Sequence, residues 1–175
     1  MFRFFIQLFL ISIFLGFSVY SKNYEKIIVN GNERISNETI LVFSEIQDNK
    51  ALDENSINEI LKKLYKSGFF KDVKVKIESN NLIIEVLENP IIQTVFIEGI
   101  KRKKTEESLY EILSLKNRSS YNSTLIKKDE AAILAFLKDD GYYFSNVITS
   151  YQDLGGNKID LLYQIDLGEK SKISK

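Results

Sequence analysis

The chain contains no cysteine and no histidine among its 175 residues. Without cysteine it has no disulfide bond, no thiolate metal site and no thiol nucleophile. Without histidine it lacks the commonest general base and the commonest metal ligand. Neighbouring carboxylates such as Asp139 and Asp140 are adjacent rather than facing, and helix caps explain them better than acid–base catalysis does. These absences predict a protein that is not an enzyme and that has no metal site and no cofactor.

An excess of charge of one sign is also lacking. The 24 basic and 24 acidic side chains cancel to a formal net charge of zero. Such a chain has no strongly basic field to hold a phosphate backbone, so nucleic acid is not an expected partner. The basic run at residues 101–104 is then interpreted as a solvated loop. A hydrophobic content of 44% is nevertheless enough to build packed cores.

The longest apolar run lies at the N-terminus. Arg3 is followed by apolar residues from Phe4 to about Tyr20, and Val19 and Ser21 have the small-residue spacing that a signal peptidase accepts. The run is slightly shorter than the roughly 20 apolar residues that a spanning helix needs. We therefore expect residues 1–21 to be a cleaved export signal, with an uncleaved membrane anchor as the alternative.

The remaining sequence contains one pattern twice. Each copy opens with a predicted strand, "YEKIIVN" and "IQTVFIE", and each strand is followed by a glycine, Gly31 or Gly99. A short helix should follow in each copy. Ser36 is the expected N-cap of a helix running to about residue 44, and Thr105 that of a helix running to about residue 113.

A longer amphipathic helix comes next in each copy. The first is expected to start after Asp53 and the second near Ser123, and each ends at a glycine, Gly68 or Gly141, that is followed by two aromatic residues. The apolar residues expected to face the core are Ile57, Ile60, Leu61 and Leu64 in the first helix and Ile126, Ile133, Leu134 and Leu137 in the second, where Glu130 interrupts the stripe.

A predicted β-hairpin closes each copy. The first hairpin pairs residues 73–77 with residues 82–87, and the second pairs residues 147–151 with residues 159–165 across a turn that contains Gly155 and Gly156. The single proline, in Asn89-Pro90, marks the joint between the copies. We therefore predict an α+β fold of two tandem β-α-α-β-β units, over residues 22–90 and 91–168.

Three stretches, "GFFKDVKVKI", "NNLIIEVLENPII" and "VFIEGIKR", make this pair of units similar to POTRA (polypeptide-transport-associated) domains. The sequence is most similar to the N-terminal end of BamA-like outer-membrane β-barrel assembly factors. The resemblance implies a three-stranded mixed sheet in each unit, with the last strand central and two helices on one face. It also implies that residues 169–175 are the start of a truncated third unit, since "YQIDLGEK" corresponds to the first joint.

The function implied by this resemblance is binding. Such domains would lie in the periplasm of a Gram-negative bacterium, receive unfolded outer-membrane β-barrel polypeptides, contact accessory lipoproteins and be attached to the outer membrane through a C-terminal β-barrel. Two alternatives remain open. A membrane-anchored cell-division scaffold would need an uncleaved anchor and normally one unit, and a two-partner secretion transporter would be expected to start with a plug helix.

The candidate binding site is the middle strand of each unit, which is an edge strand in this arrangement. The unpaired backbone groups of an edge can accept an extended peptide as an added strand. The expected peptide-binding residues are Val73, Lys74, Val75, Lys76, Ile77, Val147, Ile148, Thr149, Ser150 and Tyr151. The lysines of the first edge are equally explained as protection against aggregation. Tyr142 and Tyr143 are expected to pack in the core, with a peptide-binding shelf as the alternative.

Overall fold

The structure is a computed structural model that describes residues 23–46 and 52–170. The predicted export signal over residues 1–21, and most of the stretch predicted to begin a third unit, lie outside these residues. The described elements follow the order β-α-α-β-β twice. They are β1 (Lys26–Asn30), α1 (Asn37–Ser44), α2 (Glu54–Lys66), β2 (Phe70–Glu78) and β3 (Asn81–Glu88) in a first unit, and β4 (Ile91–Glu98), α3 (Lys103–Ile112), α4 (Ser123–Asp139), β5 (Asn146–Gly155) and β6 (Lys158–Asp166) in a second.

Each unit contains a three-stranded mixed sheet. The strand orders are β1-β3-β2 and β4-β6-β5, so the last strand of each unit is central. The central strand pairs in parallel with the first strand and antiparallel with the middle strand. The predicted fold is confirmed, and β2 and β5 lie at sheet edges.

Two hydrophobic cores lie between the sheets and their helices. On the central strands the buried residues alternate, as a sheet with one covered face requires. They are Leu82, Ile84 and Val86 on β3, and Ile159, Leu161, Tyr163 and Ile165 on β6. The buried residues of the long helices are Ile60 and Leu64 on α2, with Ile126, Ile133 and Leu137 on α4. The predicted stripes are therefore confirmed at these positions, while Leu134 is 36% exposed at the margin of its stripe.

The helix starts follow the capping side chains in three cases of four among the described helices. Ser36 and Asp53 accept hydrogen bonds from the N–H groups of Thr39 and Ser56, as predicted. Asn122 caps α4.

The predicted N-cap Thr105 was wrong, because α3 begins two residues earlier, at Lys103, without a capping side chain. Tertiary packing of the fully buried Leu109 outweighs the local capping preference there, and half of the basic run at residues 101–104 belongs to the first helical turn.

The glycines that follow the first strand of each unit have a steric reason. Gly31 and Gly99 have φ values of +83° and +94°, which favour glycine. A Cβ atom at Gly31 would overlap the carbonyl oxygen of Val86, and one at Gly99 would overlap that of Ile165. The chain thus leaves each first strand in direct contact with the backbone of the central strand, and the repeated glycine follows from this contact.

The two helix-to-strand corners differ in length. β2 starts two residues after Gly68, whereas β5 starts only after a turn through Tyr143 and Phe144. This looser turn takes up the one residue by which the stretch from Gly141 to Val147 exceeds that from Gly68 to Val73. Phe70 is buried, but Tyr143 is 58% and Phe144 75% exposed. The prediction that Tyr143 packs in the core was therefore wrong, because the turn carries the chain outward before β5 begins.

Candidate peptide-binding edges

The backbone of β2 presents alternate residues to its free edge. Glu78 faces Asn81 across a two-residue turn in which both residues have positive φ, as in a type I′ turn. In such a hairpin the flanking pair exchanges its hydrogen bonds, and every second residue back along the strand does the same. The N–H and C=O groups of Val73, Val75 and Ile77 therefore point away from β3, and those of Lys74 point toward it.

The side chains of β2 divide between a buried face and a charged face. Val73 is buried, and Val75 and Ile77 pack against the first core. On the opposite face Lys76 Nζ lies 3.2 Å from the carboxylate of Glu85 and 3.3 Å from that of Glu78. The hydrogen bond to Glu85, followed by that to Glu78, raises the pKa of Lys76. The uncovered face of the first sheet is thus charged and ion-paired along β2, while Ile28 and Ile83 lie on the same face of β1 and β3.

One outward group of β2 is already occupied. The hydroxyl of Tyr65, near the end of α2, accepts a hydrogen bond of 3.1 Å from the N–H of Val73 and donates one of 3.1 Å to Asp72 Oδ1. Both roles of the hydroxyl are therefore used. The open part of the β2 edge runs from the carbonyl of Val73 to Ile77.

The second unit has the same strand order, strand directions and covered face, so the equivalent residues of β5 direct their backbone groups outward. These are Val147, Thr149 and Tyr151. Thr149 Oγ1 donates to Glu130 Oε1 at 2.5 Å, which fixes the side chain and leaves the backbone groups unused. Within the described residues, no side chain forms a hydrogen bond with the backbone of residues 147–151.

Three large apolar side chains of β5 are exposed: Ile148 and Tyr151, each by 59%, and Leu154 by 43%.

On the uncovered faces, the edge strand β5 carries Ile148 and Ser150 where the edge strand β2 carries Lys74 and Lys76. Phe96 on β4 pairs with Leu162 on β6, and Leu162 pairs with Ser150 on β5. Ile148 on β5 pairs with Gln164, two residues after Leu162, so its side chain lies diagonally beside that of Leu162 on the same face. Phe96 is 45% exposed. The side chains of Phe96, Leu162 and Ile148 therefore form a row across three strands, which we call the apolar row, and this row ends at the β5 edge.

A buried carboxylate at the joint was not predicted from the sequence. Glu88 Oε1 accepts hydrogen bonds from the N–H groups of Glu33, Arg34 and Ile35, at 3.1, 3.0 and 2.9 Å. Burial acts to raise the pKa of Glu88, but the three N–H donors and the charge of Arg34 outweigh it, and the pKa is lowered. Arg34 Nε lies 3.3 Å from Glu88 Oε2, while its Nη2 donates to Ser120 Oγ in the second unit at 3.2 Å. Glu88 therefore fixes the loop after β1 and, through Arg34, contacts the second unit.

The second unit contains a carboxylate of the same kind on α4. Asp129 is fully buried and accepts hydrogen bonds from the N–H groups of Ser114 and Leu115, at 2.6 and 2.9 Å, and from the Tyr163 hydroxyl at 3.1 Å. Burial, followed by the charge of Asp129, raises the pKa of Tyr163. Glu130 was predicted to interrupt the apolar stripe of this helix, but the buried polar residue is its neighbour Asp129. Both carboxylates bind backbone N–H groups, so their roles are structural.

A cleft of about 650 Å³ lies at the joint between the units. Leu87 and Pro90 line it from one side, and Tyr121 and Tyr151 from the other. Asn89 Nδ2 donates to the carbonyl of Gly68 at 3.0 Å, so the joint is tied to the first corner. The described residues contain no helix that is both long and apolar enough to cross a membrane.

The family model for POTRA, described as a surface antigen variable number repeat, matches residues 23–89 and again residues 90–168. The chain belongs to the POTRA family. Two curated relatives are outer membrane protein assembly factors BamA. The one from Nitratidesulfovibrio vulgaris is 24% identical over 84% of this chain, and the one from Neisseria meningitidis serogroup B is 24% identical over 83%. The matched region spans 19% of the length of each relative.

Two solved structures with this POTRA fold come from Omp85 proteins. The N-terminal domain of Omp85 from Thermosynechococcus elongatus has a TM-score of 0.62 at 18% identity, covering 85% of this chain and 64% of that one. POTRA1-2 of Omp85 from Anabaena has a TM-score of 0.55 at 14% identity, covering 88% of this chain and all of that one. At these identities the likeness shows the fold alone, and that fold is the tandem POTRA pair predicted from the sequence.

Proposed function

We propose that this POTRA pair is the periplasmic part of an outer-membrane protein assembly factor in a Gram-negative bacterium. In this role it receives unfolded β-barrel polypeptides as extended segments, without catalysis, and contacts accessory lipoproteins of the assembly complex. The relationship to BamA supports the assembly role. The observation that carries the binding mode is the presence of two long edge strands, β2 and β5, whose outward backbone groups have no strand partner in the described residues.

Strand addition suits a receptor for many different polypeptides. Its hydrogen bonds use backbone groups that every residue except proline supplies, so affinity depends little on the sequence of the added strand. Ordering a flexible segment offsets much of the contact energy, so each contact is weak and reversible. A receptor of this kind can therefore hold an unfolded chain and release it without consuming energy.

Proline substitutions at outward-facing positions test this binding mode. The probe is a ten-residue peptide of alternating threonine and valine with a lysine at each end, added to the isotopically labelled protein and followed by NMR. We expect shifts along β2 or β5. Val75→Pro and Thr149→Pro each remove an outward N–H without removing a hydrogen bond of the sheet, and each should abolish the shifts on its own strand. Lys74→Pro is unsuitable, since the Lys74 N–H pairs with β3.

Val75→Ala and Thr149→Val are the matched controls, because they change the same side chains but keep the N–H groups. Both controls should bind the peptide as the unmodified protein does. Peptide-induced shifts that persist unchanged along the substituted strand in folded proline variants would contradict strand addition. The groove between the second helix and the sheet would then become the candidate site.

A further inference from the structure

The backbone of the β4 edge is covered along its length. In its first half it pairs with the segment between α3 and α4. Arg118 N–H donates to the carbonyl of Ile92 at 2.7 Å, Ile92 N–H to that of Ser119 at 2.9 Å, and Tyr121 N–H to that of Pro90 at 2.8 Å. An incoming strand would have to displace this segment, so the first half of β4 is closed.

Side chains cover the second half of β4. Asn117 Oδ1 accepts a hydrogen bond from the N–H of Val95 at 2.9 Å. The Tyr110 hydroxyl accepts one from the N–H of Ile97 at 3.2 Å and donates one to the carbonyl of Val95 at 3.3 Å. A tyrosine hydroxyl on a helix thus takes the place of a neighbouring strand.

The β2 edge uses the same device once, and the β5 edge does not. Tyr65 covers the N–H of Val73 in the same way that Tyr110 covers that of Ile97. Tyr65 stands three residues before Gly68, and the residue three before Gly141 is Lys138, which has no hydroxyl and is exposed. Within the described residues, β5 is therefore the long edge whose outward backbone groups are uncovered.

The side chains of the two strands favour the same edge, β5, as the backbone groups do. β2 carries three lysines, an aspartate and a glutamate, all of them exposed, whereas Asp153 is the one charged residue in the sequence of β5. Lysines on an edge disfavour the approach of another strand. The apolar row formed by Phe96, Leu162 and Ile148 ends at β5, so an added strand with apolar residues on that face would extend the row and bury it.

From these contacts we infer that β5 is the edge that receives peptide, and that the Tyr65 hydroxyl is the group that disfavours β2. The partner is an extended polypeptide segment with apolar side chains on the face that continues the apolar row. This inference rests on the proposed strand addition and assigns it to one edge. A peptide that docks on β2 must first displace a hydrogen bond to Val73, which lowers its affinity there about fivefold.

Tyr65→Phe tests the assignment, with Tyr143→Phe as the matched control that removes a hydroxyl from an exposed tyrosine elsewhere. In the unmodified protein, the alternating threonine and valine peptide should shift the amides of residues 147–151 at lower concentration than those of residues 73–77. Tyr65→Phe should strengthen binding at β2 about fivefold and leave binding at β5 unchanged. Without any peptide, it should also speed hydrogen exchange of the Val73 amide, and Tyr143→Phe should do neither.

The possible failures are distinguishable. Shifts that appear at β2 before β5 in the unmodified protein, or equal β2 affinity in the protein and in Tyr65→Phe, would overturn the assignment while strand addition itself stands. The absence of peptide-induced shifts at both edges, in the unmodified protein and in Tyr65→Phe alike, would overturn strand addition and the assignment together.

Discussion

The two units share one topology and differ on the surfaces that the topology leaves open. In the first unit the uncovered sheet face carries the Lys76–Glu85 ion pair, and Tyr65 covers part of the edge. In the second unit the same face carries the apolar row, and the equivalent edge is uncovered. The buried positions of the two sheets match because they set the fold. The exposed positions are under no such constraint, and that is where two copies of one domain can take on different roles.

The units also hold their loops with carboxylates in different places. Glu88 lies at the end of a central strand and binds the loop that follows β1, whereas Asp129 lies on a helix and binds the loop that follows α3. The hydrogen-bond donors to each carboxylate belong to its own unit. Across the joint, Arg34 donates to Ser120 and Asn157 donates to the backbone carbonyl of Glu88. We therefore expect the units to fold independently, and substitutions confined to one unit can test this.

Gly99→Ala should have the largest effect and should act on the second unit alone. The added methyl group would overlap the carbonyl oxygen of Ile165 at a positive φ, so we expect a loss of about 4 kcal/mol in the stability of that unit. Native-state hydrogen exchange, resolved by residue, measures both units at once. Gly156→Ala is the control, because its Cβ would meet no atom within 4 Å, and it should cost about 1 kcal/mol. Equal loss of protection in both units would show a single cooperative core.

Leu64→Ala should destabilise the first unit by about 3 kcal/mol, since this side chain is fully buried and its removal leaves a cavity. Leu61→Ala, on the same helix at a half-buried position, should cost clearly less. Denaturant unfolding, monitored by the NMR signal intensities of each unit, measures the stability of the first unit and that of the second separately. A second unit that loses as much stability as the first would contradict independent folding.

The smallest expected effect concerns pH and distinguishes the first unit from the second. The pKa of Glu88 is lowered in the folded protein, so its ionised form stabilises the first unit above the ordinary carboxyl pKa. That stabilisation should be lost as the pH falls through the lowered value. Glu88→Gln should lower the free energy of unfolding of the first unit by about 2 kcal/mol at neutral pH. It should also make that free energy fall less steeply as the pH is lowered. An unchanged acid-unfolding profile of the first unit in Glu88→Gln would argue against this role.

Local patterns were sufficient to predict much of the fold. The alternation along the central strands, the caps Ser36 and Asp53, and the glycines after the first strands all lie where the sequence placed them. The alternation and the caps depend on neighbours within a few residues, whereas each glycine marks a close approach to the central strand, which lies far along the chain. Thr105 was misjudged because packing, rather than capping, sets the start of α3.

The edge strands could be located from the sequence, but the side chains that form hydrogen bonds with their outward backbone groups could not be predicted. The contact of Tyr65 with Val73 depends on how α2 lies against β2, and a tyrosine near the end of a helix gives no sign of it. Asp129 was overlooked for a similar reason, because its partners at Ser114 and Leu115 belong to a distant loop. The spacing of Asp129 from Ile126 and Ile133, both on the buried face, was the available signal.

The parallel pairing of each first strand with its central strand has a mechanical consequence. The chain enters each unit in the first strand and leaves it from the central strand, and the two strands run in the same direction side by side. Tension applied along the chain therefore pulls them past each other, so that the hydrogen bonds of the ladder are loaded in shear together rather than opened one after another. The ladder has five residue pairs between β1 and β3 and seven between β4 and β6. Under a pulling force, the first unit should therefore yield before the second.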